Sequence, residues 1–221
     1  MKFNKRITID GKHIFPGSRT FIIAEAGVNH GGDMSIATAL IDLAADAGAD
    51  AVKFQTFKAE HLILNEIQKA PYQKETTDAN ETQFDMLKKL EVTKEQNIKL
   101  KGYCKNKGII FLTTPFDEVS LDELDDLDLP AYKVASTDTT NLPFLKEVAK
   151  KGKPIFLSTG MSYLSEVNLA LKTIYEFNKD VVLLQCTANY PVQDSEVNLA
   201  VLNTYRDEFD VLLGYSDHSV G

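Results

Sequence analysis

Two patterns of apolar residues alternate along the chain. Short β-rich apolar runs end in polar residues, and each is followed by a segment whose apolar positions recur at helical spacing. The runs are FIIAE (21–25), AVKFQ (51–55), IIFLTT (109–114), AYKVAS (131–136), PIFLST (154–159), VVLLQCT (181–187) and VLLGYS (211–216). In the first intervening segment Asp33 suits an N-cap, Ile36, Leu40, Leu43 and Ala47 repeat at helical spacing, and Gly48 suits the end. The second crossover is longer: an irregular stretch, residues 58–80, precedes a QFDMLKKL helix and another from Thr93 to Asn106. Further helices are expected near 118–127, 141–151, 164–177 and 196–207. The opening residues read as a hairpin, KRITI, a DGK turn, then HIF.

Alternating strands and helices imply an α/β protein with a parallel sheet and right-handed crossovers. An open doubly wound sheet and a closed barrel both fit that pattern. Polar content inside the strands favours the barrel. In AVKFQ, Val52 and Phe54 point one way and Lys53 and Gln55 the other. A sheet covered on both faces would bury that lysine without an evident partner, whereas a barrel gives it a lumen. The expectation is therefore a (β/α) TIM-type barrel over residues 21–221, preceded by a β-hairpin at 1–20. Seven runs are present where a closed barrel has eight strands, and GYSDHSVG follows the seventh directly, so the barrel is expected to be truncated at its C-terminal end.

Composition narrows the function. With 43% hydrophobic and 25% charged residues, the chain reads as a globular protein. A net charge of −8 argues against a nucleic-acid surface but leaves room for a small anionic substrate in a local basic cleft. Cys104 and Cys186 lie far apart and form neither a metal-type pair nor a disulfide framework. The N-terminus, MKFNKRITIDGK, has no apolar core, and no long apolar stretch follows. These features predict no secretion signal, no membrane span and a cytoplasmic location.

In (β/α) barrels the chemistry sits at the C-terminal ends of the strands. There the sequence places Glu25 and the loop AGVNHGGD, then Lys53 and Gln55, then Thr113 and Thr114. Lys133, Ser136 and Asp138 follow, then Ser158, Thr159 and Gly160, then Thr187 and Tyr190, and finally Ser216, Asp217 and His218. Each has a plain structural reading. Glu25, Lys53 and Lys133 could be ion-pair partners, the Ser158–Gly160 triplet a helix cap, and His218 a loop histidine. Tyr190 could pack under a loop, Cys186 reads as a small core residue, and His13 and His61 as surface residues. Their conjunction points further. Two strand lysines with several hydroxyls and loop glycines make a trap for phosphate and carboxylate. Ala131 and Ala135 share the parity of Lys133 and leave its side chain room. Glu25 and His218 add acid–base or metal chemistry. An enzyme acting on a small phosphorylated acid is the reading these residues support.

FIIAEAGVNHGGD, ADAVKFQTF, FLTTPFD, PAYKVAS, GKPIFLSTGM, CTANYP and GYSDHS together closely resemble the sialic acid synthase family, the N-acetylneuraminate, legionaminate and pseudaminate synthases. The resemblance implies a barrel with the active site at its mouth and a divalent metal, Mn2+ or Mg2+. It implies condensation of phosphoenolpyruvate with an N-acyl amino sugar (N-acetylmannosamine or 2,4-diacetamido-trideoxy-mannose), giving a nonulosonic acid and phosphate. Lys53, Thr114, Lys133, Ser136 and Ser158 match the family's phosphoenolpyruvate-binding positions, with Ser216 beside them. Glu25 matches a carboxylate near the reacting carbons, and Gln55 and Tyr190 match sugar or intermediate contacts. His218 matches one of two metal-binding histidines. Asp138 stands where some members have glutamate.

The family's asparagine contact has no clear match here, residues 78–82, including Asn80, being the nearest. The family's second metal histidine, a later aspartate and a C-terminal antifreeze-like domain lie beyond Gly221. The chain alone is therefore expected to be inactive or weakly active, and the parent enzyme a homodimer. AEAGVNHGG, APYQK and QFDMLKKLE resemble the neuraminate and legionaminate branch more than the pseudaminate branch. Two other readings stand beside this one: a Schiff-base pyruvate aldolase using Lys133, and a truncated, non-catalytic barrel kept as a binding module.

Overall fold

The structure is a computed structural model that describes residues 1–64, 67 and 81–220 of the 221-residue chain. Asn80 and most of the irregular stretch before it lie outside the described residues. Along the chain, the hairpin strands β1 (Ile7–Ile9) and β2 (Lys12–Ile14) come first. Then follow β3 (Ile23–Gly27), α1 (Met34–Asp46), β4 (Ala51–Thr56), α2 (Ala59–Leu62), α3 (Gln83–Leu90), α4 (Lys94–Lys107), β5 (Ile110–Pro115) and α5 (Glu118–Asp125). The remainder is β6 (Tyr132–Val134), α6 (Leu142–Lys150), β7 (Ile155–Ser158), α7 (Leu164–Tyr175), β8 (Val181–Cys186), α8 (Val201–Glu208) and β9 (Leu212–Ser216). Each expected run overlaps a strand, and the hairpin pairs antiparallel with Ile7 opposite Ile14.

The chain forms two compact units, Ile22–Asp128 and Met1–Phe21 together with Leu129–Gly221. In the first, β3, β4 and β5 form a parallel sheet in sequence order. In the second, β6, β7, β8 and β9 do the same. All six residues of β5 and of β8, and all four of β7, are buried, as befits strands covered on both faces. Among the described residues no helix is long and apolar enough to cross a membrane.

Helix starts follow local chemistry. Asp33 accepts from the Ser35 backbone N–H, and Thr82 with Asp85 and Thr93 with Gln96 form capping boxes. Asn141 caps α6, and its neighbour Pro143 sits in the first turn, where a missing N–H costs nothing.

Two expectations need correction. The core face of α1 is Ala37, Ile41 and Ala44, whereas Ile36 and Leu43 are 45% and 65% exposed. The helix carries two stripes at helical spacing, and the one richer in alanine lies against β3, β4 and α4 because small side chains permit close approach. The last helix begins at Val201 rather than at 196, since residues 194–196 form a single 3-10 turn. Asn198 then adopts φ +50, a left-handed conformation that a helix cannot contain.

Candidate active site

In the unit Ile22–Asp128, strand parity and register bring four expected residues together. Glu25 lies opposite Lys53, and Gln55 opposite Thr114. Lys53 Nζ lies 2.6 Å from Glu25 Oε2 and donates to Thr114 Oγ1 at 3.2 Å. The lysine side chain is 8% exposed and the glutamate 52%, so the pair is anchored on its cationic side and open on its anionic side. The β3 register breaks between Glu25 and Gly27, where φ is +53. A Cβ at Gly27 would stand 3.1 Å from Glu25 Oε1 and 3.7 Å from Gln55 Nε2, so glycine leaves both side chains their places. Lys53 has partners within its own sheet. Its burial therefore does not by itself select a barrel over an open sheet, contrary to the expectation from sequence.

Behind this cluster, on the opposite strand face, a buried polar network ties α4 to the sheet. Asn97 Nδ2 donates to Thr56 Oγ1 at 3.1 Å, and the Thr56 and Thr113 hydroxyls lie 2.9 Å apart. In the loop after β3, His30 is fully buried, and its Nδ1 accepts from the Gly32 N–H at 3.0 Å. Burial holds the ring below its ordinary pKa, and Nε2 has no hydrogen-bond partner among the described residues. His61, expected at the surface, is half-exposed and lies 3.3 Å from Asp117, the N-cap of α5.

The second unit assembles a larger set. Lys133, buried on β6, donates to Ser158 Oγ at 2.6 Å and to the Val134 carbonyl at 2.9 Å. Ser158 ends β7, the strand next to β6, which is why the two meet. Cys186 ends β8, opposite Ser216 in register. Its thiol is pushed up by burial, against the opposing pull of the Lys133 charge and hydrogen bonds from Ser216, the Gly160 N–H and Ser136. That single sulfur thus reports that Lys133, Ser136, Gly160 and Ser216 share one neighbourhood. Sequence reading had left Cys186 in the core; its register opposite Ser216 is the signal that places it at the site.

Asp138 is half-buried at the end of a 3-10 turn (Ser136–Asp138), and burial raises its carboxyl above the ordinary 3.8, against hydrogen bonds from Asn141 and Thr137. Tyr190 stacks on His218 with ring centroids 4.0 Å apart. The His218 Nδ1–H donates to the Thr187 carbonyl at 2.6 Å, and Cys186 Sγ lies 3.8 Å from Nε2.

Donation from Nδ1 makes Nε2 the lone-pair nitrogen of His218, the arrangement typical of a metal-ligating imidazole. Yet among the described residues no group of three or more His, Cys, Asp or Glu could hold a metal ion. His218 suits one ligand position, and the described residues do not complete a set.

In each unit, parallel strands carry a buried lysine with hydroxyl neighbours, a candidate anion site in an α/β protein. Comparison with known proteins places the chain in a family. The chain belongs to the NeuB family, whose model matches residues 40–221. It is 46% identical over 206 residues to the N,N'-diacetyllegionaminic acid synthase of Campylobacter jejuni, covering 92% of this chain and 62% of that protein. It is 36% identical to the human N-acetylneuraminate-9-phosphate synthase, covering 91% of this chain and 56% of that protein. The chain thus spans about three-fifths of the length of these curated relatives. Among solved structures, the N-acetylneuraminic acid synthetase of Leptospira borgpetersenii, crystallised with citrate, superposes with a TM-score of 0.87 at 33% identity, covering all of this chain and 72% of that one.

Proposed function

We propose that this chain carries strand-end groups of an enzyme that condenses phosphoenolpyruvate with an N-acyl amino sugar to give a nonulosonic acid and phosphate. The observation that carries the reading is Lys133. It is buried within a short parallel strand, with Ser158 Oγ at 2.6 Å and Ser136 and Ser216 gathered around the neighbouring Cys186. A buried ammonium with hydroxyl neighbours is a receptor for a small multivalent anion. Membership of the NeuB family, with relatives named as an N,N'-diacetyllegionaminic acid synthase and an N-acetylneuraminate-9-phosphate synthase, supports the choice of reaction. The higher identity to the legionaminic acid synthase favours a 2,4-diacetamido-trideoxy sugar over N-acetylmannosamine.

In this reading Lys133 with Ser136, Ser158 and Ser216 holds the phosphate or carboxylate, and Tyr190 contacts the sugar. The C2=C3 electron pair of phosphoenolpyruvate forms a bond to the open-chain aldehyde carbon, and the aldehyde oxygen takes its proton from Asp138. An oxocarbenium is left at C2. Water adds there and gives its proton to solvent. The C–O bond of the tetrahedral intermediate then breaks: phosphate leaves with the bridging oxygen, takes up the proton of the C2 hydroxyl, and a 2-keto acid remains. Asp138 is supported as the donor by its raised carboxyl. The (β/α) TIM-type barrel is part of the same proposal, supported by the sequential parallel order within each unit.

The test is sugar-dependent release of phosphate from phosphoenolpyruvate labelled with 18O at the bridging position, run with both sugars. Label in the released phosphate is the expected result. A folded protein that neither binds phosphoenolpyruvate nor releases phosphate with either sugar would overturn the reading.

A further inference from the structure

The end of β7 is held by three buried hydroxyl groups that none of the roles above uses. Thr139 Oγ1 donates to the Ser158 carbonyl at 2.7 Å. Thr159 Oγ1 donates to the Leu184 carbonyl of β8 at 2.9 Å, and the Tyr205 hydroxyl of α8 donates to Thr159 Oγ1 at 2.9 Å. Thr139, Thr159 and Tyr205 are 0%, 3% and 4% exposed. The turn after β6, the neighbouring strand β8 and the helix α8 therefore converge on two consecutive residues. Those residues carry the hydroxyl that Lys133 contacts.

The surroundings leave little slack. At Gly160, the next residue, a Cβ would lie 3.1 Å from Ser136 Oγ and 3.2 Å from Ala188 Cβ. A small shift of the β7 end would therefore disturb Ser158 against Lys133 and Gly160 against Ser136 together. Packing does not require the Tyr205 hydroxyl. The ring contacts Phe209 at a centroid distance of 6.0 Å, and phenylalanine would fill the same space without a buried polar group to satisfy. Retaining a phenol whose partner adjoins Ser158 is the feature that needs a reason.

We propose that Tyr205 and Thr139 are positioning residues for the Lys133 anion site: they clamp Ser158–Thr159 so that Ser158 Oγ and the Lys133 ammonium face a bound phosphate or carboxylate together. The inference deepens the anion-site reading and rests on it.

The test is calorimetric titration of the whole chain with phosphoenolpyruvate. The variants are Tyr205→Phe, Thr139→Val, Thr139→Ser, Ser158→Ala, and Tyr205→Phe combined with Ser158→Ala, with melting temperatures recorded for each. Tyr205→Phe and Thr139→Val should each weaken binding about fivefold, the worth of one net hydrogen bond. Thr139→Ser should bind like the parent. In the Ser158→Ala background Tyr205→Phe should have a clearly smaller effect, because its shortest route to the ligand is gone. An equal loss in both backgrounds would assign Tyr205 to general packing and overturn the clamp. If the parent chain binds no phosphoenolpyruvate, it is the anion-site reading that fails. The clamp is then decided by the 15N resonance of the Lys133 ammonium, which Tyr205→Phe must shift; an unmoved resonance overturns it.

Discussion

Replacing Lys133 by methionine tests the anion site with least disturbance to packing. The side chain is 8% exposed and donates to Ser158 Oγ at 2.6 Å and to the Val134 carbonyl at 2.9 Å. Methionine keeps the length and apolar stem while removing the charge. Two hydrogen bonds are lost and a buried cation is released, and these effects oppose each other, so folded stability should change by no more than about 1–2 kcal/mol. Ligand binding has no such compensation. A charge-assisted hydrogen bond contributes about 1.5–3 kcal/mol, which predicts an affinity for phosphoenolpyruvate about 10- to 150-fold weaker. Calorimetric titration measures it, with inorganic phosphate and pyruvate run in parallel. A loss shared with phosphate assigns Lys133 to the phosphate end, and one shared with pyruvate assigns it to the carboxylate. Unchanged affinity for phosphoenolpyruvate in a folded Lys133→Met variant would refute the reasoning.

Asp138 is raised by burial, so a reaction that uses its proton should run at low pH and fade as pH rises through that raised value. Its contribution to stability has the same sign, present below the ordinary 3.8 and lost as pH rises through the higher folded value. In Asp138→Asn both limbs should flatten in rate and melting profiles against pH, and profiles matching the parent would discard the assignment. Gly32→Ala places a Cβ 2.6 Å from the Lys89 carbonyl at φ +85. Left-handed strain and overpacking against backbone together should cost about 2–4 kcal/mol by urea unfolding, and a loss below about 1 kcal/mol would contradict the geometry. Lys133 should leave no covalent adduct with pyruvate and borohydride, as judged by intact mass, since the proposed reaction forms no Schiff base; an adduct would bring forward the aldolase reading.

The strands were legible because period-2 runs bounded by turn residues encode themselves locally. AVKFQ and IIFLTT became β4 and β5 within a residue of their expected bounds. The face of α1 was not legible. Ile36 and Leu43 read as core by hydrophobicity, but which stripe a sheet covers depends on how closely the backbones approach, and Ala37 and Ala44 win that contest without looking apolar enough to do so. The start of α8 was lost for a related reason. Its boundary depends on the left-handed Asn198, a conformation that the sequence permits but does not announce.

Strand-end chemistry divides the same way. Period and register settle which residues stand side by side, so Glu25 beside Lys53, Lys133 one strand from Ser158 and Cys186 opposite Ser216 follow from strands alone. What holds those residues in place comes from other elements and from hydroxyls that read as ordinary core or cap residues. Thr139 and Tyr205 lie in no motif, because a positioning hydrogen bond needs only one donor at one distance, and any nearby element can supply it. Contact with an anion is chemically demanding and so restricts residue type; support for that contact is geometrically demanding and leaves residue type loose. The first therefore shows in one sequence and the second only in coordinates, and substitutions at the supporting residues should alter affinity for the ligand while the motifs stay intact.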